Sequence, residues 1–337
     1  FRDIAVLGHY RCSVRVFFAL VSLVPLAPQH IGSGDAVQPR DTQAVIESVV
    51  PALPDGVKFT IVGSDTFVRV ESKGHDVQVQ GYEDEPYLRI DKSGTVQVND
   101  SSQTTVLNSD RYGNVDLTQF KKSDIPKWRT IATNGVAMWH DHRSHWMNPV
   151  KPATIDDRGT VLKWTIPITV DGVVTKIDGS LYLRNSASPL WWLIAIVSLL
   201  IAAFLAMKHS RALHVLLLLV AVCGVAVGAL ELGGLPAGAR ITPILLLFSA
   251  GALVLLSIAF ASQRLRIASH VSAAMSAGAG GAMLVAVWLC SDQVKSAYVP
   301  GLTQEWAARV TLTAMAGVGV VAIVDAYVRI ARGSDGE

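Results

Sequence analysis

PLWWLIAIVSLLIAAFLAMK, residues 189–208, decides the fold: after a proline the chain runs without a charge until Lys208. An α-helix rises about 1.5 Å per residue, so such a run covers a bilayer core of about 30 Å. Four later stretches read the same way, and the expected spans are about 190–207, 212–230, 241–262, 268–290 and 308–328. Together they make a transmembrane bundle over 189–332, followed by a short tail at 333–337.

Composition agrees. Only 17% of the 337 residues are charged, against about 25% in a soluble domain, and the mean hydropathy is +0.38. The deficit is local, because charges crowd between Asp35 and Arg184 and thin out from Leu190 to Val328. The formal net charge of +2, with no basic run interleaved with aromatics, argues against a nucleic-acid partner. The lipid bilayer is the partner the composition demands.

The loops set an expected orientation. Lys208 and Arg211, Arg264 and Arg266, and Arg329 and Arg332 fall at alternate turns and at the C-terminal end. The opposite turns mix Arg240, Lys295 and Arg309 with Glu231, Asp292 and Glu305. The positive-inside bias assigns the first set to the cytoplasm and everything before the first span to the far side. At the other end of the chain, Arg11 and Arg15 precede a short apolar run, Val16 to Ala27. That pattern predicts a signal peptide over 1–36, cut after Ala36, with a retained anchor as the alternative.

Residues 37–188 are expected to form an extracytoplasmic, sandwich-like all-β domain. Alternating runs such as Val57–Val62, Thr66–Val70, Val77–Gln80, Thr95–Val98, Val161–Ile166 and Val173–Leu183 are separated by turn residues, Asp171-Gly172 among them. The stretch Asn108–Ser123 has no clear period and reads as a long loop. No cysteine falls in this domain, which excludes a disulfide framework or a zinc ribbon there.

One cluster carries chemistry: Met138-Trp-His-Asp-His-Arg-Ser-His-Trp-Met-Asn148. Were the strand to continue through His142, His140 and His142 would share a face, with His145 a third ligand from the following turn. Neutral imidazole suits copper(II) or zinc, and a thioether from Met147, or from Met138, favours copper(I). A structural reading stands beside it, since histidines also fix loops, and Arg143 raises the cost of a nearby cation. Trp139 and Trp146 read as packing.

Other candidates are plainer. Glu83-Asp-Glu85 and His75 read as solvated turns, Asp325 with Arg329 as an ion pair one helical turn apart, and His214 and His270 as helix-end residues within reach of water. The small residues of Ala273–Ala282 and Ala314–Gly319 predict close helix packing and offer a face to a membrane partner. No Gly-x-x-x-x-Gly-Lys loop, Gly-x-Ser-x-Gly elbow or His-Glu-x-x-His pair is present, and no nucleophile accompanies His142, so an enzyme is the weakest reading.

Taken together, Gly81-Tyr-Glu-Asp-Glu-Pro-Tyr-Leu-Arg89, Asp110-Arg-Tyr-Gly113 and the W-H-D-H-R-x-H-W-M stretch resemble a largely uncharacterised group of actinobacterial membrane proteins. The resemblance covers about 37–207 and implies an exported N-terminal β domain before C-terminal helices; it implies no activity. The expectation is therefore a membrane-anchored metal-handling protein, for copper or alternatively zinc, using His140, His142, His145 and Met147. The alternative is a non-enzymatic interaction module or accessory subunit of an envelope complex.

Overall fold

A computed structural model describes residues 37–118, 120–121, 123–148, 150–265 and 269–334. The expected leader over 1–36 lies outside the described residues. The rest is a mixed architecture: ten strands in two antiparallel sheets, then five apolar helices.

The larger sheet runs β1 (Thr42–Val50), β10 (Val173–Leu183), β9 (Thr160–Val170), β4 (Val77–Gln80), β5 (Pro86–Ile90), β6 (Val96–Asn99), β7 (Trp128–Ala132). The smaller one runs β2 (Val57–Val62), β3 (Phe67–Ser72), β8 (Val136–Trp139). Strands β9 and β10 form the longest hairpin of the larger sheet, joined by Asp171 and Gly172, both with positive φ (46° and 85°). Two such residues make the twisted turn that a two-residue hairpin requires, and an Asp-Gly pair takes it at little strain. The register follows, with Val173 opposite Val170 and Gly179 opposite Trp164. No Cβ fits at Gly179, because it would collide with the Trp164 ring and the Val45 carbonyl.

Alternation then builds the core. Trp164, Ile166, Ile168 and Val170 of β9 and Ile177 and Leu181 of β10 meet Phe59, Val68, Val70 and Trp139 of the small sheet in one buried cluster. Strands β1 and β7 extend the pattern read from sequence, and the segment after β6 holds a helical turn, α1 (Gln103–Leu107), before the irregular stretch expected there.

The five long helices are α2 (Trp192–Lys208), α3 (Ser210–Gly234), α4 (Ile244–Arg264), α5 (Ser269–Leu289) and α7 (Trp306–Ser334), with a short α6 (Ser291–Lys295) between the last two. Each long helix, α2 counted from the 3-10 turn at Pro189, is long and apolar enough to cross a membrane. Helix α7 is central, touching α2, α3 and α5, while α2 packs mainly on α7. The small residues serve that packing. A Cβ on Gly280 of α5 would stand 2.6 Å from the Gly319 carbonyl of α7, and Gly317 of α7 lies against Ser198 and Ala195 of α2. These small-residue faces meet other helices of the same chain. His214, expected near water, is instead 2% exposed, its Nε2 against Ser276 Oγ (3.1 Å) and Gln263 Nε2 (3.0 Å). Asp325 and Arg329 form the expected ion pair.

The β domain sits on one end of the bundle. Val37, Val62, Phe67 and Met138 pack with Leu235, Ala239 and Ile241 from the α3–α4 connection. Arg40 pairs through its backbone with Tyr298, and the Asp41 carboxylate accepts from Ala297 N at 2.7 Å. This seam lies beside the histidine cluster.

Candidate functional site

Strand β8 ends at Trp139, where the chain turns, so the continuation through His142 on which a shared face depended does not form. The reason is Asp141. Its fully buried carboxylate accepts from Trp139 Nε1 (2.9 Å), Arg143 N (3.1 Å), Arg143 Nε (2.8 Å) and Arg143 Nη2 (2.7 Å), which folds residues 139–143 around it. Burial alone would raise the Asp141 pKa, but the guanidinium and these donors outweigh it and hold the carboxyl below its usual range. Arg143 is thereby neutralised by its own partner. The charge that weighed against a nearby cation is already balanced.

Each of the three histidines grips a different backbone carbonyl. His140 Nδ1 donates to Thr66 O (2.7 Å) and its ring stacks on Phe67 at 4.4 Å. His142 Nε2 donates to Asp110 O (3.0 Å), and its ring stacks on Tyr82. His145 Nε2 donates to Arg111 O (2.7 Å). A carbonyl only accepts, so each of these ring nitrogens carries the proton. Two histidines thus clamp the Asp110–Gly113 stretch against the turn. Tyr82 adds to the clamp, its hydroxyl accepting from His142 N (2.8 Å) and donating to Asn108 Oδ1.

The shared strand face is therefore corrected: His140 belongs to the core, 1% exposed, while His142 and His145 come together from the turn. Their rings stand 5.2 Å apart, nearly perpendicular at 88°. Among the described residues, no group of three or more His, Cys, Asp or Glu side chains is arranged to hold a metal ion. What does assemble is smaller. Gly113, at φ +69°, lets the chain approach so closely that a Cβ there would meet the Met147 methyl at 3.1 Å and His142 Cε1 at 3.3 Å. Met147 and the His142 edge are thus neighbours, and Met147 is 39% exposed. Met138 is not, being 4% exposed in the seam cluster.

Both histidines are kept neutral. Burial pushes the His142 pKa down, and burial with the Arg111 charge pushes that of His145 to about 4. With Nε2 protonated and the ring uncharged, the remaining lone pair lies on Nδ1. That of His145 is buried and has no hydrogen-bond partner.

The sequence reading did not reach the partners of this turn. Asp65, 0% exposed at its side chain, accepts from Thr42 Oγ1 (2.7 Å) and Arg111 Nη2 (2.9 Å). No local spacing marks Tyr82 or Arg111 as a neighbour of His142 or His145. Glu85 and His75 are structural: Glu85 accepts from Ser102 Oγ and Thr104 Oγ1, and His75 bridges Asp171 and the Asp55 carbonyl.

No family model, no curated protein and no solved structure matches the chain. The function has to be read from the site.

Proposed function

We propose that this multi-pass membrane protein presents its β domain on the extracytoplasmic side and there binds a soft metal ion, copper(I) foremost, through His142, His145 and Met147. One observation carries the reading: the buried His145 Nδ1, an acceptor with nothing to accept from. Buried polar atoms are nearly always satisfied, so an orphan calls for a water, an ion or a role. Metal-bound histidines commonly donate their other nitrogen to a backbone carbonyl, which fixes the tautomer and turns the lone pair toward the ion. His142 and His145 both have that arrangement.

The dimensions agree. Two imidazoles bound to one ion at about 2.0 Å, about a tetrahedral angle apart, keep their centroids roughly 5 Å apart, and these rings are at 5.2 Å. A thioether beside two neutral imidazoles makes a soft donor set, which prefers copper(I) over zinc. The half-exposed Met147 gives the ion a way in and out, which suits capture and transfer rather than a permanent structural site. The orientation rests on the arginine and lysine residues gathered at the bundle end away from the β domain, Lys208, Arg264, Arg329 and Arg332 among them.

The test is anaerobic copper(I) titration of the full chain in detergent against a chromophoric competing chelator, with X-ray absorption to detect sulfur ligation. One equivalent is expected, with a copper–sulfur contribution that Met147→Leu removes, and both Met147→Leu and His142→Gln should weaken binding about tenfold or more. Absence of one-to-one binding overturns the proposal. So do variants that bind as wild type does, or tight zinc binding without copper(I).

A further inference from the structure

Two arginines converge on one carboxylate beneath the histidine turn. Arg111, 1% exposed, donates from Nη2 to Asp65 Oδ1 at 2.9 Å, and Arg40 Nε lies 3.6 Å from the same oxygen. Asp65 also accepts from Thr42. The pair of guanidiniums thus exceeds its counter-charge by one. A guanidinium has five N–H donors in a fixed fork, matched to carboxylate or phosphate oxygens. Here Arg111 Nε, Arg111 Nη1 and Arg40 Nε are buried and have no hydrogen-bond partner. Burial and the repulsion from Arg111 push the Arg40 pKa down, against the pull of Asp65.

A cavity of about 240 Å³ opens beside them, lined by Arg40, Arg111, Tyr112, Asn148 and Lys151 among others. Three cations from different parts of the chain border it against one carboxylate, Asp41, which already accepts from Ala297 N and Ser186 Oγ, while the buried Asp65 is engaged by both arginines. The cavity adjoins the seam, since Arg40 pairs with Tyr298 of the loop between α6 and α7. Its volume suits a small polar head group and is below the roughly 300 Å³ at which pockets for drug-sized ligands begin.

We infer that Arg40, Arg111 and Lys151 form a binding site for a phosphate group at the seam between the β domain and the bundle. The group is held by guanidinium N–H donors from two sides and by the Lys151 ammonium at the mouth. Phosphate presents oxygens in several directions at once, which fits donors arriving from separate segments, whereas a flat carboxylate is served by a single fork. The site stands on the orphaned guanidinium donors and the cavity, and does not depend on metal binding nearby.

The test uses the full chain in two settings at matched ionic strength. In detergent, inorganic phosphate and glycerol phosphate are titrated and thermal unfolding is followed, with acetate as the carboxylate arm. In nanodiscs, neutral and phosphatidylglycerol-containing bilayers are compared. Saturable stabilisation by inorganic phosphate or glycerol phosphate identifies a free ligand. Stabilisation only by the anionic phospholipid identifies a head group. In either case Lys151→Gln, an exposed substitution that leaves the fold intact, should raise the half-saturation concentration about threefold or more, and Arg40→Gln should raise it further. No saturable effect, an effect from acetate alone, or a Lys151→Gln protein indistinguishable from wild type overturns the proposal.

Discussion

Replacing Asp141 with alanine tests the centre of the site. In the native chain this carboxylate ties Trp139 Nε1 to Arg143, and its side chain is wholly buried while that of Arg143 is 20% exposed. Alanine strands a mostly buried guanidinium, and breaking a buried pair from one side costs about 3–5 kcal/mol. It also leaves the buried indole N–H unsatisfied, about 1–3 kcal/mol on its own. The two losses share one acceptor and do not add, so the expected total is about 4 kcal/mol. For a domain of roughly 150 residues each kcal/mol lowers Tm by about 2–4 °C, which gives a drop of about 8–16 °C. The assay is thermal unfolding of the full chain in detergent, followed through tryptophan fluorescence, for which Trp139 and Trp164 are buried reporters in the β domain. The double variant Asp141→Ala/Arg143→Met removes the stranded charge and should recover about 2 kcal/mol. A loss below about 1 kcal/mol for Asp141→Ala, or strictly additive single variants, would refute the idea that this pair organises the turn.

Three further outcomes follow from the same geometry. The unfolded chain protonates His145 below about pH 6.5, whereas the folded chain holds it neutral to about pH 4; stability should therefore fall as pH drops through that window, by at most about 3 kcal/mol, and return above it. Unfolding at pH 7 and pH 5 in the presence of a chelator checks this, and a His145→Gln chain with an unchanged pH 5 penalty would contradict it. Gly179→Ala should cost about 2 kcal/mol or more through its collision with the Trp164 ring and the Val45 carbonyl, visible as a lower Tm with no change in the helical far-ultraviolet signal; a wild-type Tm would show that the hairpin can shift to make room. In the bundle, Gly317→Leu should separate α2 from α7, where Ser198 and Ala195 leave no space. Crosslinking between cysteines placed on those two helices should fall sharply, and unchanged efficiency would count against the close packing.

How much could be read beforehand depended on the range of the physics. Asp171-Gly172 announced its hairpin because two adjacent positive-φ residues are a local requirement, and β9 and β10 follow from their own alternation. The histidine motif was visible as a cluster, but the condition for a shared face of His140 and His142, a strand continuing through His142, is not met, because Asp141 draws Arg143 and Trp139 around itself and ends β8 at Trp139. Those partners lie two residues to either side of Asp141, so the turn is local, but strand periodicity does not register a carboxylate folding back on its neighbours. Likewise His214 lies near a helix end, yet the fold buries it against Ser276 of α5 and Gln263 of α4.

The sequence by itself determined which segments dissolve in lipid and which stack as strands, since both depend on the periodicity and polarity of neighbouring residues. Only the tertiary structure decided that His140 enters the core, that His142 meets His145 and Met147, and that Arg40 and Arg111 share Asp65. Some of those meetings join residues far apart along the chain, such as Asp65 and Arg111, 46 positions apart, and even the nearby His142 and His145 are set by their bonds to the distant Asp110 and Arg111 carbonyls. They exist because packing two sheets against each other and against the bundle brings separate loops to one seam, where burial makes each unpaired donor or acceptor costly.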